Sequence, residues 1–442
     1  MDSHDIKKTV HAETEAIKES LQKTRRDFHR YPEPGWCEFR SASIIARELS
    51  ALGYSVKTGP DAITPSERFG LPDTSALDFW YNRALAEGAD LRYMKPMKGG
   101  FTGITAVLAG GPGPVTAIRF DMDALEMPES TGPGHRPFRE GFISQHNGVS
   151  HACGHDGHMA IGIGTAKVLM KLNHLLRGTV KLIFQPAEEG IRGAWPMITA
   201  GILEDVDNLI GLHLFPDLPS GHTVCGTSDF SATNKFDIRF TGTASHAGGA
   251  PEAGNNALMA ASTAIMNMYA IPRHSGGTTR INVGTIHGGD CRNTICPEVY
   301  LTAETRGDTD SLNSYMYSSA ERIIHAAAAM HRCSAEIIPA GSAPSAQSSH
   351  GLSQILSDIA LSIEGLQQVP SPGKGLSEDF TLMMRHVQER GGAAAHIALG
   401  AAIQNEPLIH LHTPEFDFDE ASLSLGVELL IRSTLALQDL PR

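Results

Sequence analysis

Cysteine is scarce in this 442-residue chain: Cys37, Cys153, Cys225, Cys291, Cys296 and Cys333, with no CxxC pair among them. A disulfide framework is therefore not expected, and reduced thiols in a cytoplasmic protein are. No uninterrupted apolar stretch reaches about 18 residues, so no transmembrane helix and no membrane partner are expected. The opening MDSHDIKKTV lacks an apolar core, and no secretory signal is expected from it. No Lys/Arg-rich run offsets the net charge of −13, which argues against a nucleic-acid partner. An anionic substrate would then need a local cationic pocket. Internal repeats and low-complexity segments are absent as well. What is present is ordinary for a soluble globular chain, with 41% hydrophobic and 19% charged residues. At about 150 residues per domain, the length predicts two or three domains.

Periodicity predicts amphipathic helices over 5–30 and 38–52, separated by the breaker YPEPGW, then a strand after Gly53. Residues 60–100 read as an irregular insertion, dense in proline and glycine. Three β-rich runs follow, each ending at a polar cluster. PVTAIRFDMDAL ends at Asp121 and Asp123, TVKLIFQPAEE at Glu188 and Glu189, and NLIGLHLFP carries His213. A helical pattern, HDGHMAIGIGTAKVLMKLNHLL, precedes the second of them. Strands alternating with helices predict a mainly parallel, doubly wound α/β sheet, which gathers reactive groups at the carboxyl ends of its strands. From about residue 230 the order becomes β-α-β-β-α-β, a ferredoxin-like α+β unit inserted into the first domain. The predicted boundaries are 1–228 and 343–442 for the discontinuous first domain and 229–342 for the insertion.

The chemistry concentrates in two short runs. HACGHDGH offers a thiolate and an imidazole, Cys153 and His155, both good ligands for Zn2+ or Mn2+. The same residues also fit a buried cysteine beside a helix capped by Asp156. The Glu188-Glu189 pair, on extended chain, would point its carboxylates to opposite sides, one toward a metal and one toward a reacting water. A solvated acidic turn is the commoner fate of such a pair, but the apolar strand before it favours a buried end. His213 on an apolar strand is ordinarily a core histidine. His412, just before Thr413-Pro414, fits the approach to a helix cap. Either aspartate of DMD could orient a ligand imidazole or simply form a turn.

Taken together, RRDFHRYPEPGWCEF, DMDAL, HACGHDGH, FQPAEEG, GLHLFP, SHAGGAPEAGNNA, GGDCRNTICPE, SEDF and LHTPEF occur in the order found in the M20 metallopeptidases. The set resembles that family's amidohydrolase branch, which includes aminoacylases, hippurate hydrolases and auxin-conjugate hydrolases. The resemblance covers nearly the whole chain. It implies a zinc-peptidase-like catalytic domain carrying an inserted lid and dimerisation domain, and two divalent metal ions, Mn2+ first and Zn2+ second. By the same resemblance Cys153, His155, Glu189, His213 and His412 are metal ligands, Glu188 is the general base, and Asp123 orients a metal ligand. His246, in SHAGGAP, would reach a substrate carbonyl across a dimer interface, and Asn293 and Arg306 would contact substrate. Cys296 before Pro297 departs from the branch's pattern, and Arg292 would add cationic character to the pocket. The implied partners are a small N-acyl-amino-acid substrate, at its narrowest an N-acyl-glutamate, and either a second copy of the chain or a homologous second subunit. Two other readings fit parts of the pattern: Cys153 as a nucleophile paired with a histidine, and a non-catalytic subunit of a larger hydrolase.

Overall fold

The computed structural model describes residues 3–370, 377–404 and 407–439. It divides into two compact units. One comprises Met1–Ser228, Gln347–Pro372 and Leu382–Arg442; the other comprises Asp229–Ala346 and Gly373–Thr381.

The strands in chain order are β1 (Ser55–Thr58), β2 (Ile104–Ala109), β3 (Val115–Asp121), β4 (Thr179–Gln185), β5 (Asn208–Pro219) and β6 (His222–Thr227) in the first unit. The second unit supplies β7 (Ala232–Thr241), β8 (Thr279–Gly288), β9 (Glu298–Gly307) and β10 (Ser334–Ala343), after which β11 (Gln367–Gln368) and β12 (Ala393–Ala402) return to the first sheet. That sheet runs β1-β2-β4-β3-β5-β12-β6-β11. Its centre, β4-β3-β5-β12, is parallel, whereas β1, β2 and β6 join antiparallel. The antiparallel joins at β2 and β6 were not legible in the strand–helix alternation. β3 is buried along its whole length, as a strand covered on both faces must be, which explains its near-continuous apolar run. The helix His155–Lys171 packs against it and is buried almost throughout. Gly162 makes that approach possible: a Cβ there would lie 2.6 Å from the Phe184 ring and 3.0 Å from Phe120.

In the second unit, β7, the helix Ala257–Tyr269, β8, β9, the helix Asp310–Met330 and β10 give the expected β-α-β-β-α-β order, with an antiparallel sheet in the order β10-β7-β9-β8. Phe236, Ile238, Phe240, Val299 and Leu301 form its core with both helices. Among the described residues, no helix is long and apolar enough to cross a membrane.

Three local expectations need correction. The first helical stretch is two helices, Ser3–Glu15 and Lys18–Arg30, parted by a turn at Ala16 and Ile17. Residues 60–100 are not merely irregular, since they carry the helix Thr74–Ala86. Asp73 caps that helix by accepting the Ala76 N–H at 2.8 Å, and Leu77, Trp80, Tyr81 and Leu85 pack on the core. The start of the insertion is tied down by Trp36 Nε1–H to the Phe69 carbonyl (2.9 Å) and Arg192 Nη1–H to the Gly70 carbonyl (2.6 Å). Finally, Asp156 is not the cap residue. Gly154 holds the cap position in the left-handed region (φ 90°), and Asp156, inside the first turn, accepts the Gly157 N–H with Oδ1 (2.9 Å) while its Oδ2 enters a buried ion cluster.

That cluster fastens four segments. Arg25, fully buried, donates to Asp156 (2.7 Å), Asp417 (2.9 Å) and Glu420 (3.2 Å), and its guanidinium lies 4.4 Å from the Phe418 ring centre. His29 bridges Asp156 and Glu129, each at 2.8 Å. Burial and neighbouring Arg25 oppose charge on His29, but the hydrogen bonds to Asp156 and Glu129 outweigh them and hold its pKa up at about 9. A pKa raised on folding contributes stability that is complete below the unfolded value of about 6.5 and is lost as pH rises through about 9. The midpoint of urea unfolding should therefore fall between pH 7 and pH 9.5, and His29→Gln should flatten that slope. Arg25→Met should cost up to about 3 kcal/mol in the same measurement, because buried Asp156 is left with His29 as its cationic partner while Arg136 and Arg26 still hold Asp417 and Glu420.

Candidate metal centre

The site is assembled from strand ends and turns around the parallel strands. Asp121 closes β3 and Asp123 follows it; Glu188 and Glu189 follow β4; His213 lies on β5. The Gly154 turn presents Cys153 and starts the helix at His155. The Glu188-Glu189 pair sits in a turn rather than on extended chain. Ala187 just before it is left-handed (φ 52°), as is Ile191 after it (φ 57°). Each such non-glycine residue costs on the order of 1–3 kcal/mol, so its surroundings must hold it. Asp123 does much of this, since its Oδ1 accepts the Glu188 N–H (2.9 Å) and its Oδ2 the Glu189 N–H (3.0 Å). His412 is also left-handed (φ 60°), and its N–H bonds the Ala152 carbonyl at 2.8 Å. The turn around it does not open a helix at Thr413-Pro414; the next helix is Ala421–Gln438, after the segment 417–420 has been drawn to Arg25.

The donor atoms converge. Cys153 Sγ lies 3.5 Å from His213 Nε2, and His213 Nδ1–H donates to the Leu214 carbonyl (2.8 Å), which leaves Nε2 as the ligand nitrogen. His155 is completely buried with neither ring nitrogen in a well-formed hydrogen bond: Asp123 Oδ1 is 3.5 Å from Nδ1, and Asp121 Oδ1 and Glu189 Oε1 are 3.7 and 3.9 Å from Nε2. Glu189 Oε2 lies 3.4 Å from His412 Nε2. Three overlapping groups result: Cys153, His155 and His213; Cys153, Glu189 and His412; His155, Glu188 and Glu189. Within each, the donor atoms all lie within 4.8 Å of one another. A buried imidazole with unsatisfied nitrogens, facing a thiol and carboxylates, fits a bound cation. The electrostatics agree. Burial, with the Glu189 charge, pushes the Cys153 thiol well above its usual range, and burial pushes Glu189 up to about 7 although His155 opposes it. A thiol kept protonated this way is a poor nucleophile, which weighs against Cys153 acting alone.

A fourth group, Asp121, His155 and His158, works differently. His158 Nε2 accepts the Leu214 N–H (2.9 Å) and Nδ1–H reaches Asp121 Oδ1 (2.5 Å), so both nitrogens are engaged. Arg119 Nη1–H donates to the other Asp121 oxygen at 2.5 Å. Burial opposes ionisation of Asp121, but His155, His158 and Arg119 outweigh it and keep the carboxyl well below the usual range. His158 was missed in the sequence. Its spacing of three from His155, which stacks the two rings on one helix face, was the available signal.

In the second unit, the backbone of Ala247 donates to the Asn293 carbonyl (2.9 Å), and His246 forms a bridge with Thr294, so the two predicted loops are neighbours. His246 is exposed, and its Nδ1 accepts the N–H groups of Gly248 (3.2 Å) and Gly249 (2.9 Å). Arg306 lies on β9 and pairs with Glu304 through two hydrogen bonds of 2.9 and 3.2 Å.

The model of "Peptidase family M20/M25/M40" matches residues 117–435, most of the chain and nearly all of the site just described. The chain belongs to that family. It is 45% identical to the indole-3-acetyl-aspartic acid hydrolase of Enterobacter agglomerans, over 93% of this chain and 94% of that one. It is 44% identical to one subunit of the p-aminobenzoyl-glutamate hydrolase of Escherichia coli K12, over 94% and 95%. Among solved structures, an aminobenzoyl-glutamate utilization protein from Klebsiella pneumoniae superposes with a TM-score of 0.82 at 38% identity, covering 96% of this chain and 97% of that one.

If the three converging groups hold metal, Cys153→Ser and His155→Ala will each lower the metal content of the purified protein, read by elemental analysis after dialysis. Retention should also weaken toward acid pH, where thiolate and imidazole ligands are protonated. Unchanged content in both variants would make the HACGHDGH run structural.

Proposed function

We propose that this protein is a metal-dependent amidohydrolase that cleaves the amide between an aromatic acyl group and an acidic amino acid, with p-aminobenzoyl-glutamate as first substrate and p-aminobenzoate and glutamate as products. The observation that carries the reading is the convergence of thiol, imidazole and carboxylate donors on buried His155, in a chain 44–45% identical to two hydrolases named for such substrates. The first unit is the catalytic domain and the second the lid and dimerisation domain. Cys153, His155, Glu189, His213 and His412 would hold two divalent cations, Mn2+ first and Zn2+ second on the softness of the thiolate. Bound there, the cations supply Lewis acidity that eases deprotonation of a water and polarises an amide carbonyl.

The rest is the work of side chains. Glu188 takes the proton from the attacking water and returns it to the departing amine. Asp123 keeps Glu188 and Glu189 aimed by gripping both of their peptide N–H groups. His246 donates a hydrogen bond to the developing oxyanion. Its tautomer supports this: with Nδ1 accepting two peptide N–H groups, the proton of the neutral ring sits on Nε2. Asn293 and Arg306 contact the substrate. Arg25 and Arg119 are committed to buried carboxylates, so cationic help for the amino-acid carboxylates would fall first to Arg306. Exposed Arg292, beside Asn293, would add to it. The enzyme works in the cytoplasm, as a homodimer through its lid or with a homologous second subunit.

The identity to the Enterobacter relative gives indole-3-acetyl-aspartate standing as a second substrate. The test is a kcat/KM series on N-aroyl-glutamates and indole-3-acetyl-aspartate, with protein loaded with Mn2+ or Zn2+, alone and with a candidate second subunit. Hydrolysis of none of these by metal-loaded protein would sink the proposal. Glu188→Gln should keep its metal and lose roughly 10²–10⁴-fold in kcat with KM little changed; near-normal turnover would remove Glu188 from the mechanism. Mixing inactive Glu188→Gln chains with inactive His246→Ala chains should restore part of the activity if each site borrows His246 from a partner. No recovery after proven subunit exchange would exclude that arrangement.

A further inference from the structure

Glu38 is completely buried, and its own backbone N–H is the local group its carboxylate answers. It occupies the cap position of the helix Phe39–Ala51 without making a cap bond. Glu33 does that work instead, accepting the Arg40 N–H (2.7 Å) and the Ser41 N–H (2.8 Å). Glu38 reaches across the chain: its Oε1 accepts the N–H of Ala187 (2.8 Å), and its Oε2 accepts the Thr102 hydroxyl (2.6 Å). The next two N–H groups, of Glu188 and Glu189, go to Asp123. Three consecutive peptide N–H groups are thus each bound by a buried carboxylate. A left-handed Ala187 makes this possible, because a change of handedness lets successive N–H groups face one concavity. The turn has little room to relax otherwise. Gly35 abuts it so closely that a Cβ there would meet Ala187 Cα and Cβ at 3.1 Å.

We propose that Glu38 is a positioning residue for the metal hydrolase: it fixes the backbone from which the base Glu188 and the ligand Glu189 project. This rests on the function proposed above, and it adds a residue that touches neither metal nor substrate. What matters is an acceptor oxygen at the right reach, not a negative charge. Glutamine in this place keeps the acceptor for Ala187 and can donate its amide to the Thr102 oxygen. Aspartate keeps the charge but falls one methylene short of Ala187. Alanine loses the contact altogether.

The experiment measures metal affinity of the apoprotein by competition with a chromophoric chelator, using Mn2+ and Zn2+, and then kcat and KM on p-aminobenzoyl-glutamate. Glu38→Ala and Glu38→Asp should each lose roughly 10–100-fold in metal affinity or kcat, the usual cost of removing a group that orients a ligand, with KM little changed. Glu38→Gln should stay within about threefold of the parent in both readouts, and Thr102→Val, which leaves the Ala187 contact intact, should do the same. If Glu38→Ala fails to fold, Glu38→Asp against Glu38→Gln decides. Parent-like affinity and kcat in Glu38→Asp would overturn the proposal, as would a loss in Glu38→Gln equal to that in Glu38→Asp. If the parent protein binds metal but hydrolyses no N-acyl amino acid, the functional reading fails while the affinity series still judges the role of Glu38.

Discussion

Negative charge is packed against negative charge where β3 and β4 end, and the surrounding structure answers to that fact. Asp121, Asp123, Glu38 and Glu188 are all buried, with Glu189 close behind. Each is compensated differently. Asp121 has a guanidinium and an imidazole, Asp123 has two peptide N–H groups, and Glu38 has the Ala187 N–H, its own N–H and a hydroxyl. Where local compensation runs short, the pKa moves: burial, with the charge of Asp123, pushes Glu38 up to about 8, and burial lifts Glu189 to about 7. A carboxyl poised as that of Glu189, a candidate ligand, favours a cation that can displace its proton, so cation binding there would be coupled to pH.

The same logic explains the ion cluster behind the site. Arg25 binds Asp156, the residue after His155, and Asp417, five residues beyond His412. The buried Arg25 guanidinium therefore links the segments that carry two donor residues separated by most of the chain, with Arg136 and Arg26 also holding the second of them. Such a pair adds little net stability compared with an apolar core, since desolvation offsets much of the attraction. Asp417 is also held by Arg136 (2.6 and 2.9 Å), Glu420 by Arg26 (2.8 and 2.7 Å) and Asp156 by His29 (2.8 Å), so the segments are tied together by a network and not by one pair.

Much of this was legible in the sequence because it is written in local patterns. The apolar runs before DMD, EEG and HLF mark strands, and their polar ends single out Asp121, Asp123 and the glutamate pair by position, whereas His213 reads by position as a core histidine and was singled out only through the family resemblance. Glu38 could not be found either way. It sits in a helix-start context where a glutamate is unremarked, and its partner Ala187 is 149 residues away. His158 was hidden for a related reason, since a histidine within a helix carries no mark of which nitrogen will be engaged. The helix Thr74–Ala86 was obscured by proline and glycine on both sides. The edges of the main sheet were missed because antiparallel joins depend on which strands meet, and periodicity within one strand does not encode that.

Backbone strain draws these threads together. Six non-glycine residues among those described adopt positive φ: Trp36, Ala187, Ile191, Asp229, Arg332 and His412. Three of them bracket the site or belong to it, and a fourth neighbours in sequence a glycine packed on it. Ala187 and Ile191 bracket the glutamate pair, His412 carries a donor nitrogen, and Trp36 follows the glycine that presses on Ala187. Strain of this kind persists only where surrounding contacts over-determine the backbone. Here those contacts are identifiable: Glu38 and Asp123 on the N–H groups of the turn, Ala152 on His412, and the Phe69 carbonyl on the Trp36 ring. The chain thus spends folding energy to hold a few side chains in directions that relaxed turns would not give. That cost makes sense only for groups whose aim matters more than their stability.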